Sequence, residues 1–300
     1  MIPHPFTYHR AATLQEASRL LTELGEEAKV LAGGQSLIPL MKLRLARPAA
    51  LIDLNHVPDA AYVERHNGHL HIGAMTRHSA VEESPAAAEI PILHDCAAGI
   101  ADVQVRNMGT IGGSVAEADP HGDWAPVLLA VGAEVETTGT GGPRTIPMSA
   151  FIKDAFTTSL GPAELVREIR VKVPPARSAG AYVAFKRCAP VYPTASAAVQ
   201  VTMQDDDFCV EASVVLGCVG LTPVVAAEAA AALRGQAITP HAIERAAEAA
   251  MNAAEPQADL RGSVEYKRLL VRALTRRALV AALARARGEH VEVSHEYVGR

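Results

Sequence analysis

Two glycine-rich segments of similar composition constrain how this chain can fold. The first is Ala32-Gly33-Gly34-Gln35-Ser36, and the second is Arg106-Asn107-Met108-Gly109-Thr110-Ile111-Gly112-Gly113-Ser114. Each segment combines paired glycines with a hydroxyl and follows a hydrophobic or β-prone run. Because glycine lacks a Cβ and adopts positive φ readily, its backbone N–H groups can turn towards a ligand and form a concave nest for phosphate oxygens. The pattern predicts a ligand with two phosphates, or one long ligand that is held at two places.

The composition is typical of a globular protein with a sizeable core. Hydrophobic residues make up 49% of the 300 residues, and charged residues make up 20%. The net charge of −5 gives no electrostatic basis for binding nucleic acid. Neither a secretory signal nor a stretch suited to span a bilayer is visible, so we expect a cytoplasmic protein. The four Cys residues include no C-x-x-C pair and predict reduced, mostly buried thiols.

The first 58 residues predict a β-α-β-α-β unit. A short strand at 6–10 precedes Thr13-Leu14-Gln15-Glu16, which is a capping box and predicts a helix that ends at Gly25. A strand at 29–32 then leads into the first glycine segment. Ser36 is predicted to cap a second helix over 37–45, and a third strand follows at 51–54.

A hairpin is predicted at the start of a second unit. Asn67-Gly68 separates two β-prone runs at 62–66 and 69–73, and this dipeptide is typical of a two-residue turn. His69 and His71 share one face of the second strand, but no third ligand is near them in the sequence. We therefore expect a solvated strand face there rather than a metal site.

The segment between the hairpin and the second glycine segment predicts two helices and a strand. Thr76 is predicted to begin a helix that extends to 84, and a further helix covers 91–101. Val103-Gln104-Val105 is predicted to be a strand, so that the second glycine segment follows a strand end as the first one does.

The best domain boundary in the sequence lies at Pro174-Pro175. The predicted domains are 1–176, with subdomains of about 1–58 and 59–176, and 177–288, followed by a polar tail at 289–300. Beyond the boundary, β-prone runs at 181–187, 197–203 and 209–216 predict an antiparallel meander. Helix starts are predicted at Thr222-Pro223, Thr239-Pro240 and Ser263.

Several ordered segments resemble the FAD-binding medium subunits of the molybdenum hydroxylases, which include the carbon monoxide dehydrogenase medium subunit and the flavin domain of xanthine dehydrogenase. The resemblance covers nearly the whole chain. It implies an α+β fold, with a two-subdomain FAD-binding region of the PCMH or vanillyl-alcohol-oxidase-like type. An α/β C-terminal domain with a three-stranded antiparallel sheet and a helical bundle would follow. The segments are 32–39, 106–114, Ala118-Asp119-Pro120 with Asp123, Phe185-Lys186-Arg187, and 261–268.

The same resemblance implies how the chain binds its cofactor. The two glycine segments would clasp the FAD pyrophosphate between the N-terminal subdomains, and FAD would be non-covalent because the Gln35 amide is not a nucleophile. Asp123 would lie at polar groups of the cofactor, with Ile100 as an apolar contact. Lys186 would be a basic residue near the flavin, and Tyr192 would stack on the isoalloxazine. The implied cofactor-binding residues are Leu31, Ala32, Gly33, Gly34, Gln35, Ser36, Leu37, Ile100, Thr110, Ile111, Gly112, Gly113, Ser114, Asp119, Asp123, Lys186 and Tyr192.

The acidic residues after the second glycine segment could instead have a purely structural role. Asp119 and Asp123 could cap the helix that is expected to begin at Trp124. Members of the family often carry His at the position of Glu117, within Ala-His-Ala-Asp-Pro. The negative charge of Glu117 argues against a phosphate contact at that position.

The resemblance implies an electron-transfer flavoprotein subunit. Substrate would be hydroxylated at the molybdopterin centre of a large subunit, and electrons would pass through the [2Fe–2S] clusters of a small subunit to FAD on this chain and then to an external acceptor. The assembly would be a dimer of heterotrimers. The sequence shows no nucleophile–base pair and no metal cage, so no catalytic or metal-binding residue is assigned. A self-contained FAD oxidase of the vanillyl-alcohol-oxidase-type fold and a non-catalytic flavin-binding module remain as alternatives.

Overall fold

The structure, a computed structural model, describes residues 2–189 and 191–293. Three β-sheets organise three successive units of this part of the chain, and a short two-stranded ribbon accompanies the second unit. None of the helices in these ranges is both long and apolar enough to cross a bilayer. The thiols of Cys96, Cys209 and Cys218 are free and buried, as predicted, whereas Cys188 is exposed.

A parallel three-stranded sheet with the order β1-β3-β2 forms the first unit. Its elements are β1 (Thr7–Arg10), α1 (Leu14–Leu24), β2 (Ala28–Leu31), α2 (Leu37–Lys42) and β3 (Ala50–Asp53). The predicted order is confirmed, and Thr13 Oγ1 accepts a hydrogen bond from the Glu16 N–H at 3.0 Å. Ser36 does not cap α2 through its side chain, because its backbone is helical rather than extended.

A five-stranded antiparallel sheet with the order β4-β5-β10-β6-β7 forms the second unit. One face of the sheet packs on helices around the fully buried Trp124. The elements are β4 (Val63–His66), β5 (His69–Gly73), α3 (His78–Glu82), α4 (Pro85–Ala88), α5 (Pro91–Gly99), α6 (Val103–Met108), α7 (Ile111–Glu117), α8 (Trp124–Ala130), β6 (Glu134–Thr138), β7 (Arg144–Pro147), α9 (Met148–Phe151), β8 (Ile152–Asp154), β9 (Thr157–Thr158) and β10 (Leu165–Lys172).

The predictions for the second unit are correct at the hairpin and wrong at two helix starts. Asn67 and Gly68 form the turn with positive φ. The predicted strand at 103–105 is instead the start of α6, because Asp102 Oδ1 caps this helix by accepting the Val105 N–H at 2.9 Å. Thr76 does not begin a helix, since its hydroxyl donates to the Tyr62 carbonyl and α3 begins at His78.

The face of β5 that was expected to be solvated is partly covered. His71 is buried, and its Nδ1 lies 2.8 Å from Oε1 of Glu168 on β10. The ring of His66 stacks on the ring of His71 with a centroid distance of 3.6 Å. The expectation of a solvated His71 is therefore wrong, because cross-strand neighbours cover a residue that the sequence pattern places on the polar face.

A four-stranded antiparallel sheet with the order β11-β12-β13-β14 forms the third unit, with helices packed on it. Its elements are β11 (Ser178–Phe185), β12 (Ala195–Met203), β13 (Cys209–Gly217), β14 (Val224–Val225), α10 (Ala227–Ala231), α11 (Pro240–Ala253) and α12 (Val264–Ala286). The predicted meander is confirmed, and the two-residue strand β14 extends it. Thr222-Pro223 does not begin a helix, because the two residues that follow it pair with β13. Thr239 and Ser263 do cap α11 and α12.

The domain boundary near residue 176 stays a prediction. The tail that the sequence predicts at 289–300 lies outside the described residues from 294 onwards.

A buried ion pair joins the third unit to the second. Arg285 on α12 donates to both carboxylate oxygens of Asp95 on α5, at 2.6 and 2.8 Å. Asp95 also accepts the backbone N–H of Tyr182 on β11 at 3.1 Å. The two charged side chains are only 8% and 2% exposed, so each depends on the other for compensation of its charge. This contact fixes β11 and α12 against α5.

Candidate functional site

A cavity of about 290 Å³ lies where residues of all three units meet. Its walls come from the first glycine segment, from α6 and α7, and from the residues that follow β11. Leu31, Ile111, Gly112 and Asp119 are predicted site residues that do not line it. The predicted residues that do line it are Ala32, Gly33, Gly34, Gln35, Ser36, Leu37, Ile100, Thr110, Gly113, Ser114, Asp123, Lys186 and Tyr192.

The first glycine segment has a run of backbone donors without protein partners. No acceptor in the described chain takes a hydrogen bond from the backbone N–H groups between Ala32 and Leu37. Gly34 adopts a left-handed φ of 73°, which reverses the direction of the chain within this run. Consecutive N–H groups that are left without a protein acceptor at a cavity wall are suited to bind an anion such as phosphate.

The second glycine segment differs from the first, because its amides are used inside the protein. The Ile111 N–H donates to the Thr76 carbonyl at 3.0 Å, and the Gly112 N–H donates to the Ala74 carbonyl at 2.9 Å. The Gly113 N–H donates to Thr110 Oγ1 at 3.1 Å. The amides of residues 111–113 therefore do not form a free nest like that of the first segment, and the clasp of a pyrophosphate by both segments stays a prediction.

Close packing explains several glycines that the sequence assigned to the ligand. A Cβ on Gly33 would lie 2.3 Å from the carbonyl oxygen of Met108. The close contact between these two residues joins the first unit to the second. A Cβ on Gly112 would lie 2.6 Å from the carbonyl oxygen of Ala74. Gly112 therefore faces Ala74 rather than the cavity, and the preceding Ile111 is fully buried in the core of the second unit.

One face of α7 forms a wall of the cavity. Thr110, Gly113, Ser114 and Glu117 follow each other at helical spacing, and all four line the cavity. Glu117 is half-buried, and burial followed by the charge of Asp119 raises its pKa, while the charge of Lys29 opposes this shift. The structure thus places Glu117, whose role the sequence leaves open, in the wall of the cavity.

A buried ion pair lies at another wall of the cavity. Lys186 Nζ is 3.3 Å from Asp123 Oδ1 and also donates to the Gly99 carbonyl at the end of α5. The hydroxyl of Tyr182 donates to Asp123 Oδ1 at 2.7 Å. The side chain of Asp123 does not cap α8. Each buried charge is therefore compensated by a hydrogen-bonded partner, which buried charges require.

Tyr192 lines the cavity, and its hydroxyl and the carboxylate of Asp119 influence each other's titration. The residue is 43% exposed, so part of its surface is accessible to a ligand in the cavity. Burial, and then the charge of Asp119, raise the pKa of the Tyr192 hydroxyl. Burial alone would raise the pKa of Asp119, but hydrogen bonds from His121 and Tyr192 lower it. Asp119 thus positions a lining residue instead of lining the cavity itself.

Eight residues that line the cavity are not among those predicted from the sequence. Gly109 lies within the second glycine segment and Gly122 lies next to Asp123, so the sequence could have indicated that both line the site. His78 had no such signal: it is buried and accepts a hydrogen bond from Trp124 Nε1 at 3.1 Å. The other unassigned lining residues are Val30, Ala101, Val105 and Val191, together with Glu117.

Two family models match the chain. Residues 4–175 match the FAD binding domain in molybdopterin dehydrogenase, and residues 180–282 match the CO dehydrogenase flavoprotein C-terminal domain. The chain is 41% identical over 288 residues to the carbon monoxide dehydrogenase medium chain of Afipia carboxidovorans, covering 96% of this chain and 100% of the relative. It is 36% identical to the 6-hydroxypseudooxynicotine dehydrogenase complex subunit alpha of Paenarthrobacter nicotinovorans, covering 98% and 100% of the two chains.

Solved structures of two enzymes contain chains of the same fold. A chain of carbon monoxide dehydrogenase from Hydrogenophaga pseudoflava aligns with a TM-score of 0.92 and 40% identity, and the alignment covers 95% of this chain and 99% of that one. A chain of quinoline 2-oxidoreductase from Pseudomonas putida 86 aligns with a TM-score of 0.89 and 31% identity, with the same two coverages.

Proposed function

Because this chain belongs to the FAD-binding medium subunits of the molybdenum hydroxylases, we propose that its central cavity is the site where it binds FAD non-covalently. The run of unpartnered backbone N–H groups from Ala32 to Leu37 carries this proposal. A pyrophosphate offers several anionic acceptors in a row, and such donors satisfy them without any charged side chain. These N–H groups therefore suit the pyrophosphate of a dinucleotide.

The other lining residues suit the remaining parts of the cofactor. Thr110, which caps α7, and Gly113 and Ser114 within it form a wall of the cavity that allows close approach of a ligand. Tyr192 offers a ring face to the isoalloxazine, and Ile100 is an apolar contact. The charges of Lys186 and Asp123 are held in place by their mutual contact, so they present a fixed field to the cofactor.

The chain acts as the flavin subunit of an oxidoreductase with large and small partner subunits. FAD, when bound, supplies the redox chemistry, and the residues of this chain bind, orient and electrostatically tune it. Molybdopterin and the [2Fe–2S] clusters are on the partner subunits, which deliver the electrons that FAD passes to an external acceptor. The self-contained oxidase is not favoured, since relatives that the chain matches over their full length are named as medium chains or complex subunits.

We also propose a cytoplasmic assembly in which two heterotrimers form a dimer. Co-expression with the partner genes, followed by measurement of the native mass of the purified complex, tests this assembly. A mass that fits one copy of each subunit contradicts the dimer and leaves the flavin assignment in place. Recovery of the complex in the soluble cytoplasmic fraction after cell fractionation tests the location.

The flavin assignment has its own test. We expect the purified chain to carry one FAD per polypeptide, released intact by heat or acid because it is not covalently attached. We also expect the reduced small subunit, carrying its [2Fe–2S] clusters, to reduce this FAD. Purified chain that neither contains nor rebinds FAD would contradict the proposal. Reduction of the flavin by a small organic substrate without partner subunits would favour the oxidase instead.

A further inference from the structure

Glu117 lies in the wall of the cavity that we assign to FAD. It is the last residue of α7, and it lies three positions after Ser114 on the same helical face. The C-terminal end of a helix carries partial negative charge, which disfavours a carboxylate. Glu117 forms no ion pair within the described residues, so no neighbouring cation neutralises it directly.

The charged groups near Glu117 come from several elements. Lys29 on β2 supplies the positive charge that acts on Glu117, and Asp119 supplies a negative one. The Tyr192 hydroxyl also lies close enough for Glu117 to influence its titration.

Lys186, the lysine that lines the cavity, already has a carboxylate partner, since its Nζ is 3.3 Å from Asp123 Oδ1. Arg77, beside the lining residue His78, donates to the Met108 carbonyl and to Asn55 Oδ1 rather than to Glu117. The balance of charge around Glu117 therefore favours its neutral form. The direction of its pKa shift agrees with this balance, because burial and Asp119 raise the pKa more than Lys29 lowers it.

We infer that Glu117 takes up a proton when FAD binds, and that this residue makes the affinity for FAD depend on pH. The inference rests on the proposed function, because it needs FAD in this cavity. The pyrophosphate brings two negative charges into a space of about 290 Å³ that the carboxylate of Glu117 borders. Charges repel each other more strongly at a half-buried site than in water. Uptake of a proton from solvent removes this repulsion and turns the carboxylate into a hydrogen-bond donor.

The sign of the pH dependence follows from linkage. The pKa of Glu117 is higher with FAD bound than in the free protein, so the bound state holds more protons. Below both pKa values Glu117 is neutral in both states, and affinity is highest. As pH rises from the free pKa to the bound pKa, the dissociation constant increases by up to about tenfold per pH unit. The lower end of this window lies above the ordinary pKa of a glutamate, because burial and the charge of Asp119 raise the pKa of Glu117 in the free protein.

Titration calorimetry of FAD into the full chain, freed of its cofactor, tests the inference. Measurements in two buffers of different ionisation enthalpy at one pH give the number of protons taken up. We expect Glu117→Gln to take up fewer protons than the wild type and to bind FAD about tenfold more tightly at alkaline pH, equivalent to about 1.4 kcal/mol. Glu83→Gln is the control, since Glu83 is exposed and lies outside the cavity wall.

The outcomes separate the inference from the proposed function. If Glu117→Gln binds FAD with the proton uptake and pH profile of the wild type, the inference is wrong and the FAD site remains. If wild type and control both fail to bind FAD, the FAD site itself is wrong.

Lys29→Gln is a second test that leaves Glu117 in place. Lys29 is exposed on an edge strand, so its replacement does not threaten folding. Loss of its charge should move the pH window upwards, and an unchanged window would overturn the inference even if Glu117→Gln does not fold.

Discussion

Gly33 packs against Met108 so closely that a Cβ atom on Gly33 would lie 2.3 Å from the Met108 carbonyl oxygen. The contact joins the first glycine segment to the end of α6. It therefore holds the first unit against the second at the edge of the cavity. Arg77 supports the same junction by donating to the Met108 carbonyl and, at 2.7 Å, to Oδ1 of Asn55.

Replacement of Gly33 by alanine should separate these backbones. We expect Gly33→Ala to lower the free energy of unfolding by about 1–3 kcal/mol, because the added methyl group meets backbone that cannot move alone. Urea unfolding measures the loss. Gly141→Ala is the control, since a Cβ at Gly141 meets nothing within 4 Å. Equal stability of the two variants would contradict the close contact.

Gly34 offers a separate test of whether the free backbone N–H groups from Ala32 to Leu37 bind FAD. Gly34→Ala strains a φ of 73° and places a Cβ 2.7 Å from Cδ1 of Ile38, at the end of a flexible side chain that can move aside. Gly68→Ala strains a φ of 75° in the distant hairpin turn, so both variants should lose about 1 kcal/mol of stability. Only Gly34→Ala should weaken FAD binding, by about tenfold or more, because it displaces amides that bind a charged group. Titration of FAD into both proteins measures this difference, and equal dissociation constants would remove the segment from the site.

The buried pair between α12 and α5 should contribute more to stability than an exposed pair of the same chemistry. Arg285→Met leaves Asp95 buried without its partner, and we expect a loss of about 3–5 kcal/mol. Arg19→Met removes an exposed pair with Glu23, whose side chains are 58% and 51% exposed, and should cost at most about 0.5 kcal/mol. Urea unfolding measures the free energy of unfolding of both variants. Similar losses would contradict the larger contribution expected of the buried pair.

His78 should make stability depend on pH. Burial lowers its pKa to about 4, and the charges of Arg77 and Arg106 act in the same direction. The unfolded chain takes up the proton first, so stability is complete above about pH 6.5 and decreases towards pH 4, by about 3 kcal/mol.

The free energy of unfolding, measured between these pH values, should decrease less steeply in His78→Gln than in the wild type. His241→Gln is the control, because His241 is exposed. If the free energy of unfolding of His78→Gln decreases with falling pH as steeply as that of the control, His78 does not cause the pH dependence of stability.

Local chemistry explains which parts of the fold the sequence predicted. The capping box at Thr13 and the turn at Asn67-Gly68 depend on a few adjacent residues, and both are confirmed. The prediction of a strand at 103–105 is wrong, because Asp102 caps a helix there although the two valines favour a strand. Short β-branched runs do not determine secondary structure when a cap and tertiary packing favour a helix.

The candidate site was predictable only where motifs defined it. The glycine segments located nine of the 21 residues that line the cavity, but did not show which backbone amides are free. That difference arises because the carbonyls of Thr76 and Ala74 reach the second segment, and the sequence does not show this contact. His78 enters the wall through its hydrogen bond with Trp124, which lies 46 residues away in the chain.

The cavity takes its walls from distant parts of the chain, and this has a consequence for how the protein is made. The backbone N–H groups from Ala32 to Leu37 are all present once residue 37 has been synthesised, whereas Lys186 and Tyr192 follow β11 in the chain. Arg285, which fixes β11 against α5, comes later still. Nearly the whole polypeptide must therefore be synthesised before all the residues that form the cavity are present. Loading of the cofactor belongs to the end of biosynthesis, and a prematurely terminated chain has no complete place to hold it.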